Sequence, residues 1–431
     1  MIPRLLTLWD NVRTSLWALP LAMVLVAALL AVVALRAKID VGSDPVWFLY
    51  SGSASQAPQF LGNLVSAMIT MATLAISITM VVLTLAAQQL GPRLIRNFMS
   101  DWRTQASLGL FTATVVYLLL VLRSVYGDDV ANLAITIGTA LVLACLASLL
   151  VFVHHLARTI ISDNIIDSVG AALDRDIMRL MPETDAEPPP PGKSAASGTI
   201  PVVTGGYVQA VDIDALVRQA TDANALIELT IRSGQHAVPG SPIARVSPQT
   251  EAESLAKAIQ AAFVIGRTRT AVQDLEFSMH QLVEVALRAL SPGINDPFTA
   301  IAVLDRLTLS LRLMMKREPM RSRFADDKGI VRLVVPVSTF EGLTDAAFNQ
   351  IRQTAETNPA ILIRMADNIG QLLRLADEGH RPPLKKHLRL LVNAAGRGIA
   401  EERDRKDLKA IVDAARRTLR DDEPSLQTAR G

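Results

Sequence analysis

The chain has 431 residues, is 50% hydrophobic and 19% charged, and sets 43 Lys+Arg against 41 Asp+Glu with one cysteine. That length and composition admit a membrane region and at least one further domain. The near-zero charge balance, without a long basic run, argues against nucleic acid as the main partner. A lone Cys145 excludes an intramolecular disulfide and the CxxC spacings of zinc or redox sites.

Charge is unevenly spread. Residues 1–156 carry 8 Lys+Arg and 6 Asp+Glu, and the remainder carries 35 of each. The front third is lipid-like. Within it, Leu16 to Leu35, Gly62 to Leu90, Leu108 to Leu122 and Val130 to Leu156 predict four membrane spans, the third short unless its flanks contribute. The first run exceeds a typical signal-peptide core and lacks a convincing cleavage site, so it is expected to remain. Cys145 falls inside the fourth run and is expected to be a buried, inert thiol.

Span two keeps its polar residues in step. Asn63, Ser66, Thr70, Thr73, Ser77, Thr84 and Gln88 lie three, four, three, four, seven and four apart. On a helix this spacing gathers them into one narrow seam. In a membrane such a seam is expected to face other helices or water. In a ring of identical subunits it can line a water-filled path; within a bundle it can serve as a packing face. At about 43 Å the run also outlasts a hydrocarbon core of about 30 Å. Gly91-Pro92 then breaks it, and Leu94, Ile95, Phe98, Met99 and Trp102 alternate with Arg93, Arg96 and Arg103. This predicts an interfacial elbow with arginines at phosphate level, the alternative being an ordinary basic turn.

Positive charges set the orientation. Arg4, Arg13, Arg93, Arg96, Arg103 and Arg158 share one side; Arg36, Lys38 and Arg123 on the other are offset by Asp40, Asp44, Asp128 and Asp129. Both termini are therefore expected to be cytoplasmic. His154 and His155, where span four ends, suit either interfacial snorkelling or proton sensing.

Beyond span four, Ile160, Ile161, Ile165, Ile166, Val169, Leu173, Ile177 and Leu180 repeat at helical spacing and predict an amphipathic stalk. Its stripe can join copies of the chain or pack on the chain's own domain. Pro182 to Ser197, with Pro188–Pro191, predicts a linker. Short β segments follow between Thr199 and Val246, namely Ile200–Val203, Tyr207–Val211, Ala225–Ile231 and Ile243–Val246. The phrase from Ile231 to Ile243 resembles the strand-turn phrase of barrel-sandwich hybrid modules such as lipoyl-type domains. It carries no lysine in the turn, which implies a small β scaffold without a prosthetic group.

From Pro248 to Lys316 the pattern is helical, with Asp296 placed to cap a helix beginning at Pro297. Gly329 to Val337 predicts a strand, Asn358-Pro359 a second capped helix start, and Lys385 to Leu419 a charged helix before a loose tail. The expected fold class is an α-helical membrane domain of four transmembrane helices plus a cytoplasmic α+β region with a small β-barrel or sandwich-like block. Its expected parts are the membrane domain (1–158), stalk (159–181), Pro-rich linker (182–198), β domain (199–247) and helical α+β domain (248–431).

Three phrases carry a resemblance: Gln88 to Phe98 (QQLGPRLIRNF), Arg269 to Asp274 (RTAVQD) and Ala289 to Ala300 (ALSPGINDPFTA). Together they resemble a family of predicted bacterial membrane proteins known only as domain of unknown function 2254. The resemblance spans nearly the whole chain. It implies a bacterial inner-membrane location and supplies no substrate, reaction or catalytic residue.

Arg267, Arg269, Asp274, Asn295 and Asp296 form a second candidate group. Paired arginines can hold a phosphate or carboxylate, and an Asn-Asp pair a metal or ribose; mutual pairing and helix capping compete with both uses. No GxSxG elbow, P-loop or HExxH is present, and His236, His280, His380 and His387 are scattered. No catalytic residue or cofactor is expected. The expected partners are the bilayer, further copies of the chain and ions. The expected function is a channel-like homo-oligomer with a cytoplasmic regulatory domain. Two alternatives remain: a non-conducting sensor or scaffold, and an enzyme or ligand binder using the Arg269/Asp296 region.

Overall fold

A computed structural model describes residues 17–37, 50, 55–90, 101–125, 132–159, 162–184 and 197–421. They fall into two compact units, one within Trp9–Asn164 and the other within Ile165–Gly431.

The N-terminal unit is built from α1 (Ala18–Arg36), α2 (Ala57–Leu90), α3 (Trp102–Ser124) and α4 (Asn132–Thr159). All four are long and apolar enough to cross a membrane. The short third run does gain its flanks: α3 has 23 residues, because Asp101 caps it seven residues before Leu108 by accepting from the amides of Arg103 and Thr104. Helix α3 is the hub, packing on α1, α2 and α4. Gly109 permits the closest approach, since a Cβ there would sit 2.6 Å from Met23 Sδ and 3.1 Å from Pro20 Cα. Phe111, Tyr117 and Leu118 fill the centre, and the Tyr117 hydroxyl donates to the Ala134 carbonyl at 2.9 Å. Cys145 is buried, 3.2 Å from the Thr114 hydroxyl.

In the C-terminal unit, α5 (Ser162–Leu180) leads to β1 (Gly198–Pro201), β2 (Gly206–Val211), α6 (Ile213–Asp222), β3 (Leu226–Leu229), β4 (His236–Ala237) and β5 (Pro242–Ser247). Then come α7 (Ala252–Ala262), β6 (Phe263–Gly266), α8 (Leu275–Ala289), α9 (Pro297–Met314), β7 (Arg323–Ala325) and β8 (Val331–Val334). Helices α10 (Phe340–Thr354), α11 (Pro359–Arg374), α12 (Arg381–Gly398) and α13 (Glu402–Asp421) complete it.

The strands form a five-stranded sheet, order β1-β5-β3-β8-β7, and a three-stranded sheet, order β4-β2-β6. Neither sheet closes, which corrects the expected barrel. The strands of 199–247 do not pair only among themselves: β3 runs parallel to β8, and β6 pairs antiparallel with β2. Both sheets and helices α6 and α7 share one core, with Val208, Leu216, Ile227, Val246, Ile259 and Leu333 almost wholly buried. Among the described elements α6, β4, β6, β7 and α10 escaped the pattern. Helix α6 is short and sits inside the β block, and β6 is four residues directly after α7, too brief for a period-two signal.

Capping sets the helical half. Asp296 accepts from the amides of Phe298 and Thr299 ahead of Pro297, and Asn358 accepts from Ile361 ahead of Pro359. The charged segment expected as one helix is divided in two, α12 ending at Gly398 and α13 starting at Glu402. The α5 stripe packs on its own unit. Ile166, Val169, Leu173 and Ile177 are buried, and Arg306 and Ser310 of α9 bond Asp174 while Ser278 of α8 bonds Asp176.

Candidate functional site

Helix α2 carries two heptad rows. Ala57, Leu61, Val65, Met68, Ala72, Ala75, Thr79 and Val82 are buried against the unit's other helices. Asn63, Ser66, Thr70, Thr73, Ser77 and Thr84 are exposed on the unit's surface. Each buried position from Val65 to Thr79 lies two residues after a seam position. Two residues turn a helix by about 200°, so the rows lie nearly back to back, about 160° apart. Among the described residues, the seam therefore does not pack against the other helices of its unit.

Its flanks are apolar. Ile69 and Ile76 run along one side and Leu74 and Val81 along the other, all exposed. Met80 takes the position that Thr84 and Ser77 bracket, which accounts for the seven-residue step. The hydroxyls of Ser66, Thr70 and Thr84 donate to the carbonyls of Gly62, Ser66 and Met80 at 3.0, 2.9 and 2.8 Å. These three are thereby satisfied within their own helix, which lowers the cost of facing lipid. Gly62 completes a small-xxx-small run with Ser66 and Thr70, and a Cβ built on it meets nothing. The Gln88 side chain and the expected elbow of Gly91, Pro92, Arg93 and Arg96 lie outside the described residues.

The second candidate group is used internally. Arg269 Nε donates to Asp274 Oδ2 at 2.8 Å, and Asp274, wholly buried, also caps α8 through the Phe277 amide. Burial raises the Asp274 pKa from its ordinary value, while Arg269 pulls it back. Gly234 takes φ +88 with Asp274 against its α-carbon, where a Cβ would collide with the carboxylate. Gln273 accepts from the Val211 amide and the Ser233 hydroxyl through Oε1, and Thr270 donates to the Gln209 carbonyl. The RTAVQD phrase thus pins β2, the turn after β3 and the start of α8 to one another.

Asn295 adopts φ 49 in a tight loop where the Asp296 amide donates to the Ala289 carbonyl at 2.7 Å. The Asp296 carboxylate is occupied by its cap and by the Thr299 hydroxyl at 2.6 Å, which holds its pKa below the usual range. Among the described residues no ion pair joins Asp296 to Arg269, and Arg267 is exposed. Among the described side chains of the five, the bond seen between two of them is that of Arg269 with Asp274.

Two arrangements had no sequence signal. His155 Nε2 lies 2.5 Å from Asp101 Oδ2, tying the end of α4 to the cap of α3 across 54 positions. Arg179, Arg232 and Arg321 line one cleft in the C-terminal unit although they stand far apart in the chain. His154 is exposed.

Comparison with known proteins gives a family and no activity. The model of the predicted membrane protein family DUF2254 matches residues 13–370. An uncharacterized protein of Mycobacterium bovis and one of Mycobacterium tuberculosis H37Rv are each 27% identical over 423 residues, covering 94% of this chain and 81% of theirs. No solved structure matches the chain. With a family model spanning most of its length and four apolar helices, the chain belongs to the DUF2254 family of predicted membrane proteins.

Proposed function

We propose that the protein is a homo-oligomeric permeation unit of the bacterial inner membrane in which α2 faces the shared axis. One observation carries the reading: the hydroxyl row of α2 lies nearly opposite its packing row, with apolar rows on both sides. A pore-lining helix needs that division. The polar centre meets water, the apolar flanks meet neighbouring copies, and the back meets its own bundle. Hydroxyls already bonded to their own carbonyls keep lone pairs for an ion or a water without leaving a donor unmade.

Charge supports one side of the membrane for the soluble part. Arginines concentrate at the predicted inner ends of the spans, which favours the cytoplasm for both termini and the C-terminal unit. That unit, anchored to α5, then supplies regulatory input.

Flux through proteoliposomes tests the reading. Cys145 is the only cysteine, so Cys145→Ala with Ser77→Cys gives a single reporter. A bulky cationic thiol reagent at Ser77→Cys is expected to abolish ion flux and to leave Val65→Cys protein unaffected. Absence of flux in every preparation, with the seam unreactive, contradicts permeation and favours a scaffold role for the same face.

A further inference from the structure

The C-terminal unit contains a cleft of about 240 Å³ whose lining, among the described residues, includes three arginines and no acidic residue. Arg179 comes from the last turn of α5, Arg232 from the turn after β3, and Arg321 from the segment before β7. Ile213, Phe324 and Val335 supply part of an apolar wall. Of the other polar residues in the lining, Ser233 donates to Gln273, Gln273 accepts from the Val211 amide, and Ser338 donates to Glu276 at 3.2 Å. A guanidinium has five N–H donors, so arginines that already hold a partner keep donors for the cleft.

They are also held in place. Arg179 Nη2 donates to Asp176 Oδ1 at 2.7 Å and to the Ala271 carbonyl at 3.0 Å, while its side chain stays 47% exposed. Arg232 Nη2 donates to Glu276 Oε1 at 2.6 Å. The Arg321 guanidinium lies over the Phe324 ring, 5.9 Å from its centroid. Asp176 and Glu276 lie outside the described lining and hold Arg179 and Arg232, so the orientation of these two is settled before any ligand arrives. Three guanidiniums beside an apolar wall, two of them already braced by a carboxylate, match an anion that has a hydrophobic body. The volume falls below the range of about 300–1,000 Å³ usual for drug-sized ligands.

We infer that this cleft binds a small amphipathic organic anion, one ring or short chain carrying a phosphate or carboxylate head. The head meets Arg179 and Arg321, and the body lies against Phe324, Ile213 and Val335. Because Arg179 closes α5, occupancy braces the end of that helix against β2 and the β7–β8 hairpin. The assignment is independent of permeation, since its test reads only the C-terminal unit.

The experiment is hydrogen exchange on the full chain in lipid nanodiscs with phenyl phosphate as probe. Inorganic phosphate, phenol and benzyltrimethylammonium serve as comparisons lacking the body, the charge or its sign. Phenyl phosphate is expected to protect 177–181, 231–235 and 320–338, and the three comparison compounds are not. Arg179→Gln and Arg321→Gln are each expected to weaken binding about tenfold, the loss of one charge-assisted contact. Unchanged exchange in α11 establishes that each variant is folded; if either is not, the ranking of the four compounds on the unaltered chain decides. No protection by phenyl phosphate in these segments overturns the inference, as does equal protection by phenol or by inorganic phosphate. Undiminished binding in both folded variants overturns it too.

Discussion

The two units satisfy their polar side chains in opposite ways. In the N-terminal unit many hydroxyls bond within their own helix: Thr79 donates to the Ala75 carbonyl, Thr112 to Leu108 and Thr139 to Ile135. In the C-terminal unit polar groups join different elements, as in Arg306 with Asp174, Arg364 with Asp305 and Arg232 with Glu276. A helix in lipid must satisfy itself locally because no water competes for its groups, whereas a domain in water can fix its tertiary arrangement by paired charges. The lesson is that seam hydroxyls on α2 do little for the fold of one chain. That leaves their row available for the assembly and permeation proposed above.

The largest predicted effect lies in the charged unit. Asp274→Ala leaves Arg269 without its partner and α8 without its cap, and is expected to cost about 3–5 kcal/mol in urea unfolding. A loss within about 0.5 kcal/mol, the size of an ordinary surface change, breaks the claim that cross-element pairs hold this unit.

Shape should dominate the apolar unit. Gly109→Leu drives a side chain into Met23 and Pro20, and a loss of about 1–3 kcal/mol of bundle stability is expected from detergent titration. Thr112→Ala, which removes only a bond within α3, serves as the mild control.

A third prediction concerns pH. His387 is buried in α12, with Nε2 bonded to Asp345 Oδ1 at 2.9 Å and Nδ1 without a partner. Desolvation lowers its pKa from the ordinary 6.5, outweighing Asp345. The unfolded chain therefore takes up this proton before the folded one does. The contribution is intact above pH 6.5 and is lost as pH falls from 6.5 to the folded pKa, at no more than about 1.4 kcal/mol per pH unit. His387→Gln should remove that part of the acid slope, and an unchanged slope contradicts it. Smaller still, Asn358→Ala is expected to cost about 1 kcal/mol through the lost cap of α11, read from thermal unfolding.

These contrasts explain what the sequence made legible. The four apolar runs, the stalk stripe and the Asp296-Pro297 and Asn358-Pro359 starts announce themselves because period and capping are local. The seam of α2 was legible as a row, and its spacing from the buried row places it outside the bundle. Closure of the β block was misread because β8, some eighty residues after Ser247, supplies β3 with its neighbour. Pairings such as His155 with Asp101, and the meeting of Arg179, Arg232 and Arg321, depend on tertiary approach and leave no spacing to find.

The most direct test of the account is thiol accessibility along α2 in intact membranes, in a Cys145→Ala background. Cysteines replacing Ser66, Thr70, Thr73 and Ser77 should react with a membrane-impermeant reagent and crosslink to the same position in a second copy, while those replacing Val65, Ile69 and Ile76 stay silent. Crosslinking without reactivity would make the face a dry contact between copies and remove conduction. Neither crosslinking nor reactivity would place the hydroxyl row in lipid and contradict assembly and permeation together.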